Sequence, residues 1–337
     1  MTQPQQDRAA TSGEPIALDV HAHLVPVLLD RVGALDGLAW DAQRRVLNVD
    51  GHAVSVPALY DPAALVGWMD RQQVARAWIS VPPPFYRQQL GLDAATQWST
   101  YLNDGLAQIC AVHPARLGPL FHLPIEHPQL AAEIAGERIA QGARGFSIAA
   151  GGPGTPVYSD ARLDALWTAL DAAECFLFMH PGSCCDGRLK AFYLENLVGN
   201  PYETAVAAAH LMFGGVCQRF ASLRFCLAHG GGATAMLAGR MQHGFATGRA
   251  GIDTTGEPPV ALLARFHVDC VTHDNAALAF AAHTFGEDRI VFGSDWPFPM
   301  GVLQPHEHLA SLPGPLRRKL LWDNPSDLYS RYREDSD

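Results

Sequence analysis

The chain has 337 residues, 48% apolar and 17% charged, which fits a globular protein with a large core and excludes a disordered chain. A formal charge of −10 argues against a surface built for nucleic-acid phosphates or anionic membranes, and no stretch approaches the roughly 20 apolar residues of a membrane span. Seven cysteines with no C-x-x-C pair, several of them inside apolar runs, fit free thiols in a reducing cytoplasm, and vicinal Cys184-Cys185 reads as an incidental pair.

Residues 1–14 are polar and lack an apolar signal core, so they read as a disordered tail ahead of one domain over 15–337. Residues 16–24 read as a first strand ending on two histidines. Residues 33–60, with Gly37, Gly51 and Pro57, read as an insertion carrying a hairpin, 45–49 with 54–57. Helical spacing follows over 62–72, with Pro62 at the favoured first position after Asp61. Strands are expected over 74–81, 117–123, 145–150, 175–180, 224–229, 266–271 and 289–292. Helices separate them over 94–112, 128–141, 162–173, 201–220, 233–248 and 275–285, and a last helix over 315–332 is interrupted near Asn324-Pro325. Eight strands alternating with helices predict an α/β fold, a parallel sheet closed into a (β/α)8 TIM barrel with an insertion after the first strand. The rival, an open doubly wound sheet, would carry G-x-G-x-x-G after the first strand, and that motif is absent.

In such a barrel the strand ends meet on one face, and four of them here carry side chains that bind divalent metals. His21 and His23 lie two residues apart, so on a strand they share a face and can grip one ion. An H-x-H pair alone fits core histidines too; its place at a strand end favours the metal. Asp19, two residues earlier, can orient a ligand histidine or serve as a structural hydrogen-bonding group. His180 closes the fifth strand before Pro181 and reads as a third ligand. His229 ends the sixth ahead of three glycines and can transfer a proton or act as a fourth ligand. Asp295, within Gly293-Ser294-Asp295-Trp296-Pro297, can bind the ion and shuttle a proton. His122, His267 and His273 can each line the pocket or serve as a satisfied core residue, and the core reading is preferred.

Together these motifs resemble the amidohydrolase superfamily, in its amidohydrolase-2 branch around the aminocarboxymuconate-semialdehyde decarboxylases. The likeness runs from Asp19-Val20-His21-Ala22-His23 to Asn324-Pro325, and is strongest in Leu227-Ala228-His229-Gly230-Gly231-Gly232 and from Phe292 to Gly301. It implies one divalent metal, usually zinc, held by His21, His23, His180 and Asp295, with His229 as the acid/base acting on metal-activated water. A His/carboxylate set also suits manganese, iron or cobalt. Bimetallic relatives carry a bridging lysine where this chain has Ser147, so a single metal is expected. Arg240 matches a family arginine that reaches the neighbouring subunit's pocket, which implies a homodimer. A second family arginine, in the insertion, is missing around Gly51-His52-Ala53-Val54, where His52 or Arg87 can substitute.

The leading expectation is a non-oxidative decarboxylase of an unsaturated or aromatic carboxylate from a catabolic pathway. The alternative is a hydrolase of an amide, lactone or activated C–C bond at the same mononuclear site, and the missing insertion arginine leans that way. A catalytically dead barrel serving as a scaffold would bind no metal, yet every metal position carries a competent ligand.

Overall fold

A computed structural model describes residues 13–332; residues 1–12 of the expected tail lie outside the described residues. Strand β1 (Asp19–His23) opens the barrel. The insertion then forms a three-stranded antiparallel sheet of β2 (Leu38–Asp41), β3 (Val46–Val49) and β4 (His52–Val54), one strand more than the expected hairpin. Val49 pairs with His52 across Asp50-Gly51, and both turn residues have positive φ (51° and 83°). That is the backbone an Asp-Gly two-residue turn favours, so the second arm begins at His52 and not at Val54.

The barrel continues through β5 (Ala77–Ser80), β6 (Leu117–Pro119), β7 (Phe121–His122), β8 (Gly145–Ala150), β9 (Phe176–Pro181), β10 (Arg224–Leu227) and β11 (Phe266–Val268). Every pairing among these strands and β1 is parallel, and β6 and β7 do not pair with each other. The third expected strand is split: β6 pairs with β5, and β7 pairs with β8. Pro119 lacks the N–H that an unbroken ladder would need. The eighth expected strand, 289–292, makes bridges in place of a full ladder. Ile290 bridges Val268, the Val20 N–H donates to the Phe292 carbonyl at 3.0 Å, and Trp296 bridges Ala22. These contacts join the last stave to the seventh on one side and to the first on the other.

Two inward sets of side chains follow from one irregularity. The β1–β5 register shifts between Asp19 and Ala22. Before the shift Leu18 and Val20 pack inside the barrel with Phe176, Phe178, Cys226, Ala228 and Val291. After it His21 and His23 face the mouth; bulges re-aim side chains in this way beside active sites. The opposite end is stoppered by the C-terminal helix Asn324–Arg331, with Leu328 in the same cluster and the Tyr332 ring 5.5 Å from Trp78.

Helix Pro62–Arg71 forms as expected, and Asp61 caps it by accepting from the Ala64 N–H. The expected helix 201–220 is two, Asn200–Phe213 and Val216–Arg219, because the Gly214-Gly215 pair breaks it. The interruption near Asn324-Pro325 is a π-turn, Lys319–Asp323. Pro325 has no N–H for the Leu321 carbonyl, which accepts from the Ala17 N–H at 2.9 Å. Among the described residues no helix is long and apolar enough to cross a membrane.

Candidate active site

The ends of β1, β9 and the eighth stave bring His21, His23, His180 and Asp295 together, all buried, with one donor atom from each within 4.8 Å of the others. His21 Nε2 lies 3.1 Å from His23 Nε2; Asp295 Oδ1 lies 3.3 Å from the first and 3.2 Å from the second. The His180 ring centroid is 4.9 Å from that of His21 and 5.1 Å from that of His23.

The outer ring nitrogens decide what the inner ones present. His21 Nδ1 donates to Asp269 Oδ2 at 2.6 Å. His23 Nδ1 faces the Ser80 carbonyl at 3.3 Å and the Ser80 hydroxyl at 3.2 Å, and His180 Nδ1 donates to the Pro181 carbonyl at 2.9 Å. Carboxylates and carbonyls only accept, so each Nδ1 carries a hydrogen; the Nε2 of His23 and His180 then presents a lone pair, and that of His21 does so once a cation displaces its proton. Electron-pair donors crowded around one point repel one another, and a cation between them removes that cost. The donor set therefore fits a divalent metal.

Electrostatics agree. Burial lowers His180, and the charges of His229, His21 and His23 push the same way, so it sits well below the usual range as a neutral imidazole. Burial alone would raise Asp295; the His21 charge and the nearby His21, His229 and His23 rings outweigh it and hold the carboxyl well below its usual range. For His21, burial lowers the pKa but the Asp295 and Asp269 carboxylates raise it to about 10.

His229 stands beside this cluster, on the turn His229–Gly231. Its Nε2 lies 3.9 Å from Asp295 Oδ2, its ring centroid 4.9 Å from that of His180, and its buried Nδ1 has no partner. His229 and Asp295 both adopt left-handed backbone (φ 55° and 54°), uncommon outside glycine and concentrated at functional sites. Gly293 lets the staves close here: a Cβ on it would lie 2.7 Å from Asp269 Cβ and 2.8 Å from His21 Cβ.

Two cavities open on the cluster. One, of about 450 Å³, is lined by His180, His229 and Asp295 with Pro83, Lys190 and Phe298 among others; the second, of about 410 Å³, shares His229 and Asp295 and includes His273. His273 therefore lines a cavity and is not a core residue. His122 and His267 are buried; both His122 nitrogens and His267 Nδ1 lack partners, and the His122 ring stacks on Tyr86 at 5.4 Å. Arg87 is buried and held by Asp50 (2.6 and 3.0 Å) and the Asp36 carbonyl (2.9 Å), tying the insertion to the barrel. It and the exposed His52 line a separate 400 Å³ cavity that shares Pro83, Pro84 and Ser183 with the first. Arg240 is exposed on the helix Thr234–Ala246 and lines neither cavity at the cluster. Ser147 is buried in β8, its hydroxyl on the Leu120 carbonyl.

Asp19 takes the structural role: its carboxylate accepts the backbone N–H groups of His21 and Ser294, both at 3.0 Å, and the Ser294 hydroxyl, locking β1 to the last stave. The carboxylate on a ligand histidine is Asp269, which the motif reading missed. Its signal was available: a lone acid in the apolar run Val268-Asp269-Cys270-Val271, at a strand end. It also accepts the Gly230 N–H at 2.9 Å, tying the His21 ring to the His229 turn. Asp269→Asn is expected to weaken metal binding about 10–100-fold, the usual effect of removing such a partner. Competition with a chelating dye measures it; an unchanged affinity would remove Asp269 from the site's support.

A parallel barrel whose strand ends gather a cation-competent cluster defines the class: an α/β-barrel protein with its site at the C-terminal face of the strands. The amidohydrolase family profile matches residues 18–331, and the chain belongs to that family. It is 28% identical over 310 residues to a 2-amino-3-carboxymuconate-6-semialdehyde decarboxylase of Dictyostelium discoideum, covering 88% of this chain and 86% of that one. Its fold matches a 5-carboxyvanillate decarboxylase from Sphingomonas paucimobilis with a TM-score of 0.78 at 22% identity, covering 94% and 99% of the two chains. It also matches a dihydroxybenzoic acid decarboxylase from Polaromonas sp. JS666, solved with manganese and 2-nitroresorcinol, with a TM-score of 0.75 at 21% identity, covering 96% and 99%.

Proposed function

We propose that this protein is a metal-dependent, non-oxidative decarboxylase, a carboxy-lyase acting on an unsaturated or aromatic carboxylate in a cytoplasmic catabolic pathway. The observation that carries the reading is the convergence of three inward Nε2 atoms and the Asp295 carboxylate at a cavity that His229 also lines. The relative and fold neighbours described above, all named decarboxylases, support the reaction class.

In this reading residues 15–337 form one catalytic domain, and His21, His23, His180 and Asp295 hold one ion. Zinc is the first choice for such ligands, and manganese, iron and cobalt also accept them. Once bound, the ion supplies Lewis-acid polarisation of the substrate's oxygens. The bond that breaks joins the carboxylate to its ring or alkene carbon; CO₂ leaves and a proton takes its place on that carbon. His229 moves that proton. Asp295, 3.9 Å from His229 Nε2, is placed to relay it. Arg87 and His52 shape the neighbouring rim cavity for the substrate.

Arg240 of the partner subunit neutralises a substrate carboxylate by a bidentate contact. A homodimer is supported by the helix that bears Arg240, which also exposes Met236 (77%) and Leu237 (39%). Light scattering on a sizing column is expected to give twice the 36.4 kDa chain mass, and a monomer would remove Arg240 from the site.

The direct test incubates the metal-loaded protein with a panel of aromatic and unsaturated carboxylates and follows released CO₂. Stoichiometric CO₂ with the decarboxylated product is expected. Release of an amine or a second acid without CO₂ would replace the decarboxylase reading with the hydrolase one.

A further inference from the structure

The two cavities at the cluster hold a single cationic side chain of this chain among the described residues, Lys190. The other candidates lie elsewhere: Arg87 is held by Asp50 and the Asp36 carbonyl, and Arg240 is exposed and lines neither cavity. Lys190 sits in the loop that leaves β9 directly after His180, ten residues along the chain, so the strand that supplies a cluster imidazole also supplies the cation.

The loop is held in place. Asp186 caps the turn Gly187–Leu189 by accepting the Arg188 N–H at 2.9 Å, and it pairs with the Arg188 guanidinium. Arg188 is therefore taken and Lys190 is not: Lys190 makes no ion pair or hydrogen bond among the described residues. Behind the loop, Gly199 admits Cys184; a Cβ on Gly199 would lie 2.7 Å from Cys184 Cβ. The cavity that Lys190 lines also carries apolar surface from Pro83, Pro84, Leu189, Phe298 and Pro299, which suits a flat hydrocarbon body, beside the polar Ser183, Asn196 and Asn200. Glu195 lines the same cavity and disfavours a second carboxylate on its own side. An acid whose reacting carboxylate lies at the cluster can thus place a further anionic group at Lys190, while the same place offers nothing to a molecule with only one charge.

We propose that Lys190 is the specificity-determining anchor for a second anionic group of the substrate, selecting doubly charged flat acids over singly charged ones. This rests on the carboxylate-decarboxylase reading of the cluster. Calorimetric titration of the metal-loaded, full-length protein with benzoate and with each of the three benzenedicarboxylates tests it without requiring turnover. Wild type is expected to bind at least one dicarboxylate about two- to fivefold tighter than benzoate, the scale of one exposed charge pair. Lys190→Gln should erase that advantage while leaving benzoate within about twofold, and Lys190→Arg should restore most of it. Lys190 is exposed on a loop, so the fold should survive both changes, and a matching melting temperature verifies this. Equal losses for all acids in Lys190→Gln, or no loss for any, would overturn the assignment. Should the wild type, with its full metal complement, bind none of the four acids, the carboxylate reading of the cluster falls, and Lys190's role with it.

Discussion

Replacing His229 by alanine is expected to leave the metal content unchanged and to lower turnover by about 10²–10⁴-fold, the range a positioned acid–base group contributes. The two readouts separate because of where the ring sits. The three clustered histidines keep their outer hydrogen-bond partners when His229 is removed, since none of those bonds involves it. What is lost is the imidazole on the cavity wall, 3.9 Å from the Asp295 carboxylate. His229 has left-handed backbone, so alanine there also strains the turn; His229→Asn, which tolerates that conformation better, separates loss of chemistry from loss of fold. Elemental analysis beside steady-state kinetics decides. Metal falling along with activity would make His229 a ligand.

His21→Ala is expected to remove metal and activity together and to weaken the fold. His21 Nε2 meets both His23 Nε2 and Asp295 Oδ1, so the cluster loses its most connected member. Behind it, Asp269 is completely buried and loses its charged partner, retaining the backbone N–H groups of Gly230 and Val271. Removing one partner of a buried pair typically costs about 3–5 kcal/mol. A preparation of His21→Ala with less than about a tenth of an equivalent of metal and a lower melting temperature fits the account. Full metal occupancy in this variant would take His21 out of the ligand set.

The barrel was legible because its strands are short apolar runs ended by polar residues, and the period-two rule placed His21 and His23 side by side. His180, His229 and Asp295 were legible for the same reason, each marking where a stave opens to solvent. Contacts that depend on distant pairing were not. Asp269 meets His21 across 248 residues of sequence, and only the closed barrel brings the first and seventh staves near each other. The register shift that turns His21 and His23 toward the mouth while Leu18 and Val20 fill the interior has no mark in the residue pattern, because it lies in the pairing with β5. Arg87 looked free for a substrate until the insertion folded back and placed Asp50 on it. The Asp50-Gly51 turn, by contrast, was written in the sequence as a plain hairpin signal and fixes where β4 begins.

The most direct test is an anomalous difference map from crystals grown with zinc or manganese and no chelator. One strong peak per chain, enclosed by His21, His23, His180 and Asp295 with His229 outside the coordination, is the predicted result. A map with no peak there, or with its peak bound by a different set of side chains, would contradict the account.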